Sequence, residues 1–172
     1  MQTNEWGPSG WKFLHMITFN YPQDPDENTK INYKNLFENL QYTLPCSHCR
    51  VSYTEIYKYI CIDYYLDSRD GLTFWLFIVH NLVNRKLKKN LENFDDVYVK
   101  YENYRARCGS MDNIEQYNKC KLELKEIKKS DINDNIIIIY SKYKEIAKKQ
   151  INDFYHSNNI IDPKFIKCNI KI

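Results

Sequence analysis

The sequence predicts an all-α fold, on three observations. Apolar residues return every three or four positions along most of the 172 residues, the period of an amphipathic helix. No segment alternates apolar and polar residues between turn glycines, as a strand would, and the chain has only four glycines: Gly7, Gly10, Gly71 and Gly109. The interruptions are short and rich in proline and aspartate, which suits helices joined as antiparallel neighbours in a bundle.

The stretch "PSGWKFLHMITFNYP" (8–22) opens the series. Pro8 suits a first helical turn, Pro22 closes the helix, and Trp11, Leu14, His15 and Thr18 fall on one side. After the loop "PQDPDEN", a second helix is predicted over 29–43, with Ile31, Leu36, Phe37 and Leu40 on its apolar stripe. Pro45 interrupts before a third helix over 47–60, where Tyr53, Ile56, Tyr57 and Ile60 keep the spacing. The segment "DYYLDSRDG" (63–71) reads as a turn-rich connection. A fourth helix follows from about Leu72 to Lys89, capped by Ser68 or Asp70. A short fifth covers 94–107, with Val97, Tyr98, Tyr101 and Tyr104 at intervals of three and four.

Beyond Gly109 the character changes. Two charged, amphipathic stretches, 111–129 and 134–156, flank "SDIND" and are predicted to pack as helices on the bundle or on a partner. In the second, Ile136, Tyr140, Tyr143, Ala147 and Phe154 recur at near-heptad intervals, and a loose tail is expected beyond Asp162. The expected division is a domain over 1–108 and a helical extension over 109–172.

Composition excludes several functions. Residues 1–108 carry 13 basic and 13 acidic side chains, so the net +3 sits in 109–172, with 12 lysines against nine acids. That excess is too small and dispersed for a nucleic-acid face. No G-x-G-x-x-G or Walker loop is possible with these glycines, which excludes those modes of nucleotide binding. The densest apolar run, "LTFWLFIV" (72–79), is too short to span a bilayer. "MQTNEWGPSG" has no apolar leader, so a cytoplasmic setting, reached without secretion, is expected.

Chemistry concentrates in two places. The first is "LPCSHC" (44–49), where Cys46 and Cys49 stand two residues apart behind a proline. A structural zinc site needs four ligands, usually in two close pairs, and no second pair or H-x-x-x-H is present, so no metal is expected. A thioredoxin-like pair needs a βαβ setting, which the helical pattern denies. Two inert buried thiols remain open, as does redox work. For the latter the loop is well made: a helix N-terminus lowers the pKa of Cys46, making it the outer thiol, with Cys49 one turn inside. The second place is "HNLVNRKLKK" (80–89). His80, Asn84 and Leu87 share a face of an apolar helix, with Asn81 beside them. Asparagines disfavour helix interiors, so these serve either a polar network or a flat polar ligand. Trp11 and His15 repeat the idea one turn apart on the first helix.

The ordered set "WGPSGWKFLH" (6–15), "LPCSHC" (44–49) and "HNLVNRKLKK" (80–89) resembles the Erv/ALR family of FAD-linked sulfhydryl oxidases, especially the short forms of large DNA viruses. The likeness covers roughly residues 5–108. It implies a helical FAD-binding bundle and an enzyme that makes disulfides in protein clients. Electrons would pass from thiols through a Cys46–Cys49 disulfide and FAD to O2, giving H2O2, with Cys49 beside the isoalloxazine. Trp11 and His15 would contact the adenine side of the cofactor. His80, Asn81 and Asn84 would hold the nucleotide, Lys86 and Lys89 the pyrophosphate, and Leu87 the pocket wall. Tyr101, or next Tyr104, would close the site, and Gly7 and Pro8 match the entry to the first helix. Partners implied are protein thiol clients or a thioredoxin-like redox protein, O2, and a second copy in a homodimer through the first two helices, in host cytoplasm or virion.

Two features depart from the family. Only five residues precede Trp6, so no N-terminal shuttle is expected. The structural disulfide after the fourth helix lacks its first cysteine, and Asp96 stands near that place. Cys108, Cys120 and Cys168 are left as a clip, a shuttle or free thiols, and Cys61 is expected to be a buried core thiol. The competing function is a non-enzymatic helical adaptor with structural cysteines.

Overall fold

The computed structural model describes residues 2–105 and 126–158. Among them lie six α-helices and no strand: α1 (Thr3–Phe19), α2 (Glu27–Thr43), α3 (Ser47–Tyr59), α4 (Arg69–Lys86), α5 (Phe94–Tyr104) and α6 (Asn133–Ser157). The all-α expectation holds. The first long stretch predicted beyond Gly109 lies mostly outside the described residues, as do Cys108, Cys120, Cys168 and the tail beyond Asp162. Its described end forms only a short 3-10 turn, Lys129–Asp131.

Helix α4 is the axis. It is buried almost all round from Gly71 to Asn84 and packs against α1, α3, α5 and α6. Phe74, Trp75 and Leu76 are essentially inaccessible, and the Trp75 indole donates to the Ile60 carbonyl at 2.9 Å. Each such side chain contributes roughly 1.5–3 kcal/mol by leaving water. The helix starts at Ser68, whose hydroxyl accepts the Gly71 N–H at 3.2 Å. It ends at Lys86, short of the predicted Lys89. There the N–H of Lys89 reaches the Asn84 carbonyl at 2.8 Å and that of Lys88 the Arg85 carbonyl at 2.9 Å. This is a Schellman end, with Lys88 in the left-handed region at φ 54.

Helix α1 begins five residues before Pro8, so Pro8 lies inside it rather than in its first turn. The carbonyl it cannot bond belongs to Asn4, which is exposed to solvent. The helix stops at Phe19 rather than Pro22, because Tyr21 is pulled into the core. Its hydroxyl donates to the Leu66 carbonyl at 2.8 Å, and Arg69 Nε donates to its carbonyl at 2.7 Å. Helix α2 is capped by Asp26, which accepts the Thr29 N–H at 2.6 Å. Its inward face is Tyr33, Phe37 and Leu40, spaced i, i+4, i+7. Ile31 and Leu36, predicted on that stripe, are instead 55% and 40% exposed on the other side. Between α3 and α4 a 3-10 turn, Ile62–Tyr65, replaces the expected loose connection because Ile62 and Tyr65 are both buried.

Helix α6 packs along α3 and α4 through Ile136, Ile139, Tyr140, Tyr143, Ala147 and Ile151. Phe154, predicted on this stripe, is only partly buried and packs against Tyr59. Polar contacts fix the helix in register. The Tyr65 hydroxyl donates to Gln150 Oε1 at 2.9 Å, the Tyr143 hydroxyl meets Ser68 Oγ at 3.1 Å, and Lys142 pairs with Asp67. Gly71 is needed at this contact: a Cβ there would stand 2.5 Å from the Tyr65 carbonyl and 2.7 Å from the Tyr143 hydroxyl.

Candidate active site

Pro45 ends the α2–α3 connection, and Cys46 is the N-cap of α3. Its Sγ accepts the Cys49 backbone N–H at 3.3 Å. Both cysteines are free thiols and half-buried. The pair is electrically unequal. A hydrogen bond from the Cys49 thiol, then the Cys49 backbone N–H, holds Cys46 below the ordinary thiol range. Burial first, then its hydrogen bond to Cys46 and that neighbour's charge, pushes Cys49 up, while Lys86 acts the other way. Cys49 thus lies within electrostatic reach of α4. Lys86 also reaches Ser52, one turn after Cys49, and ties α3 to α4. Cys61, expected in the core, is only half-buried, with its thiol on Asp63 at 3.5 Å.

The second cluster joins α1, α4 and α5. His15 is fully buried, and its Nε2 lies 3.1 Å from His80 Nδ1. One proton serves that contact. Burial, then His80 and Lys100, lowers His15 to about 3. Burial, then Lys100 and Lys89, lowers His80 to about 4. Both rings are therefore neutral at pH 7. Trp11 stacks on His80 at 4.0 Å and 11°, and Tyr101 stacks on the other member of the pair, His15, at 4.6 Å and 19°. Burial raises the Tyr101 phenol to about 12, keeping it protonated. Tyr104, the alternative to Tyr101, is exposed.

The remaining predicted residues divide. Asn81 is spent on structure: its amide donates to the Glu92 carbonyl and its oxygen accepts the Glu92 N–H, each at 3.0 Å, which pins the turn after α4. Asn84 is buried, yet its side chain has no hydrogen-bond partner among the described residues. His15 Nδ1 and Trp6 Nε1 are likewise buried and unpartnered. Unfilled polar atoms beside aromatic planes mark where a polar, planar ligand would gain most. Lys86 and Lys89 stand exposed at the end of α4, and Leu87 between them is 55% exposed at the rim. A Cβ on Gly7 would meet open space, and Pro8 is exposed beside it. No three His, Cys, Asp or Glu side chains cluster as metal ligands among the described residues, and no described helix is long and apolar enough to cross a membrane.

Sequence reasoning missed two participants and one contact. Ser52 was visible only as the residue one turn beyond Cys49. Lys100, which acts on both imidazoles, carried no signal in its own helix pattern. The direct bond between His15 and His80 joins residues 65 apart, a pairing that spacing within either helix does not contain.

The model of the Erv1/Alr family matches residues 8–105. The chain belongs to this family. A probable FAD-linked sulfhydryl oxidase of Acanthamoeba polyphaga mimivirus is 35% identical over 97 residues, covering 56% of this chain and 68% of that protein. An African swine fever virus FAD-linked sulfhydryl oxidase is 27% identical over 104 residues, covering 56% of this chain and 80% of the viral protein. The mitochondrial FAD-linked sulfhydryl oxidase of Saccharomyces cerevisiae is 32% identical over 84 residues, but the match spans only 43% of its length. Among solved structures, the FAD-binding domain of yeast Erv1 superposes with a TM-score of 0.53 at 27% identity, over 59% of this chain and 95% of that one. The yeast Erv1 core, at a TM-score of 0.56 and 24% identity, shares the fold. The Erv1/Alr match ends at residue 105, so α6 lies wholly outside it.

Proposed function

We propose that the chain is a FAD-dependent sulfhydryl oxidase that forms disulfides in protein clients, 2 R–SH + O2 giving R–S–S–R + H2O2. One observation carries this reading: a thiol pair at a helix N-terminus, its outer member the stronger acid, lies within electrostatic reach of the helix that holds His80, Asn84 and Lys86.

The residues fit FAD. Partly buried Trp11 would offer a flat apolar face, Tyr101 backs the site from behind His15, His15 Nδ1 is a buried polar atom without a partner, and Asn84 would hold the nucleotide. Lys86 and Lys89 supply positive charge for a pyrophosphate at the end of α4. His80 holds the His15 ring, and Asn81 shapes the turn that carries Lys89. Gly7 and Pro8 would lie at the entry to the site on α1, and Leu87 would line the pocket wall.

The thiol chemistry follows from the inequality of the pair. With Cys46 and Cys49 oxidised, a client thiolate attacks the Cys46 sulfur and displaces the Cys49 thiolate toward Lys86. The client's second thiolate then attacks the mixed disulfide. Cys46 departs readily because its thiolate is stabilised at the α3 N-terminus. Client disulfide and enzyme dithiol result. FAD, when bound, supplies the two-electron acceptor that returns Cys46 and Cys49 to the disulfide and passes the electrons to O2.

The same reading gives the wider setting. Residues 1–108 form the catalytic unit, with 109–172 as its extension. Phe13 and Met16 on α1 and Ile31 and Leu36 on α2 are exposed apolar side chains that a homodimer through these two helices would bury. Clients, or a thioredoxin-like partner, meet it in cytoplasm or virion, where thiols otherwise stay reduced.

Oxygen uptake with dithiothreitol tests the assignment. The wild type should be yellow and consume O2, and Cys46→Ser and Cys49→Ser should each lose turnover. A protein that refuses FAD and leaves dithiothreitol reduced ends the proposal.

A further inference from the structure

We propose that a groove between α3, α4 and α6 receives the polypeptide of the thiol client, seating an apolar side chain that stands about four or five residues from the reacting cysteine. This rests on the sulfhydryl oxidase reading and adds to it a means of choosing clients.

The groove has a volume of about 320 Å³ and is lined by Val51, Ser52 and Glu55 of α3, Arg85 and Lys86 of α4, and Phe154 and Tyr155 of α6, so it shares Lys86 with the flavin side. That size is at the lower end of small-ligand sites, enough for one or two side chains. Its walls suit a peptide. Val51 is 67% exposed at the rim, an apolar side chain standing in water. Phe154 and Tyr155 face it from α6. Glu55 lines the same wall and brings a carboxylate that can accept backbone N–H groups of an extended strand.

Position ties the groove to the redox pair. His48, between the two cysteines, shares a face of α3 with Ser52 and Glu55 at i, i+4, i+7, and the Ser52 hydroxyl donates to the His48 carbonyl at 2.8 Å. An exposed track thus runs from the thiols into the groove. From Cys46 to Ile56, at the groove floor, is ten residues of helix, about 15 Å of rise. An extended chain covers that distance in about four or five residues. Helix α6, which makes one wall, lies outside the family match, so that wall comes from this chain's own extension.

The experiment uses two synthetic peptides that share one Cys-x-x-Cys and differ by leucine or serine four residues beyond it. With the full chain, the leucine peptide should show a KM on the order of tenfold lower, as burial of one aliphatic side chain provides. Val51→Glu should remove the difference while leaving dithiothreitol oxidation unchanged. A redox-independent reading comes from fluorescence anisotropy of fluorescein-labelled versions with both cysteines replaced by serine. The leucine form should bind the wild type and lose binding to Val51→Glu. Equal KM values with dithiothreitol still oxidised overturn the groove alone, which is the result expected if residues 159–172 fill it. A difference that survives Val51→Glu also overturns it. Absence of dithiothreitol oxidation overturns the oxidase reading instead, and anisotropy then still decides whether the groove holds the peptide.

Discussion

Acidification should unfold this protein through two histidines before its carboxylates matter. In the folded chain His15 is lowered to about 3 and His80 to about 4, against 6.5 for a free imidazole, chiefly by burial. A depressed folded pKa means that the unfolded chain takes up protons first. Stability is therefore intact above pH 6.5 and is lost as pH falls toward 4. At pH 5 each unfolded imidazole gains about 2 kcal/mol from protonation that its folded counterpart does not, so the pair costs up to about 4 kcal/mol. For a domain of this size that lowers Tm by roughly 10 °C. Asp26, Asp67, Asp96 and Glu145 are also held below their ordinary values, but their losses only begin near pH 5 and grow below it, at the lower edge of the window. The assay is thermal unfolding of the purified protein at pH 7.5, 6 and 5, beside His80→Gln. The variant should start lower and show a shallower loss between pH 6.5 and 5. Equal slopes in both proteins would refute the claim that the pair is held neutral in the core.

Three further outcomes follow from local geometry. Cys49→Ala should raise the pKa of Cys46, read by thiolate absorbance, because it removes the thiol that donates to the Cys46 sulfur; an unchanged titration would place the cause elsewhere. Gly71→Ala should cost about 1–3 kcal/mol in denaturant unfolding, since its Cβ would meet the Tyr65 carbonyl. Lys88→Gly should add roughly 1 kcal/mol by relieving the left-handed backbone at φ 54, seen as a higher Tm.

The helices were legible because each buries a stripe that spacing reveals: Tyr53 and Ile56 on α3, with Ile60 just past its end, or Val97, Tyr98 and Tyr101 on α5, all lie in the core. Boundaries were less so. Gln2 caps α1 without a side-chain bond, so nothing in sequence marked its start. The end of α1 is set by Tyr21 reaching Leu66, and the 3-10 turn by Tyr65 reaching Gln150, contacts between distant segments. On α2 an apolar count placed Ile31 and Leu36 inward, whereas Tyr33, a polar-tipped aromatic, holds that face. The site shows the same division. Cys46 at a helix start could be read from Pro45 and the pattern after it. That Asn81 would be consumed by Glu92 while Asn84 stays unpartnered depends on where the turn after α4 folds back.

The account stands on electron transfer from the Cys46–Cys49 pair into a flavin held by α1 and α4. Anaerobic mixing of the yellow protein with dithiothreitol tests this directly, without oxygen as an intermediary. The wild type should lose its visible flavin absorbance within turnover time, while Cys49→Ser, with FAD still bound, should keep it. Bleaching of Cys49→Ser at the wild-type rate would contradict the account, because the electrons would then reach the flavin by a route that bypasses the inner thiol.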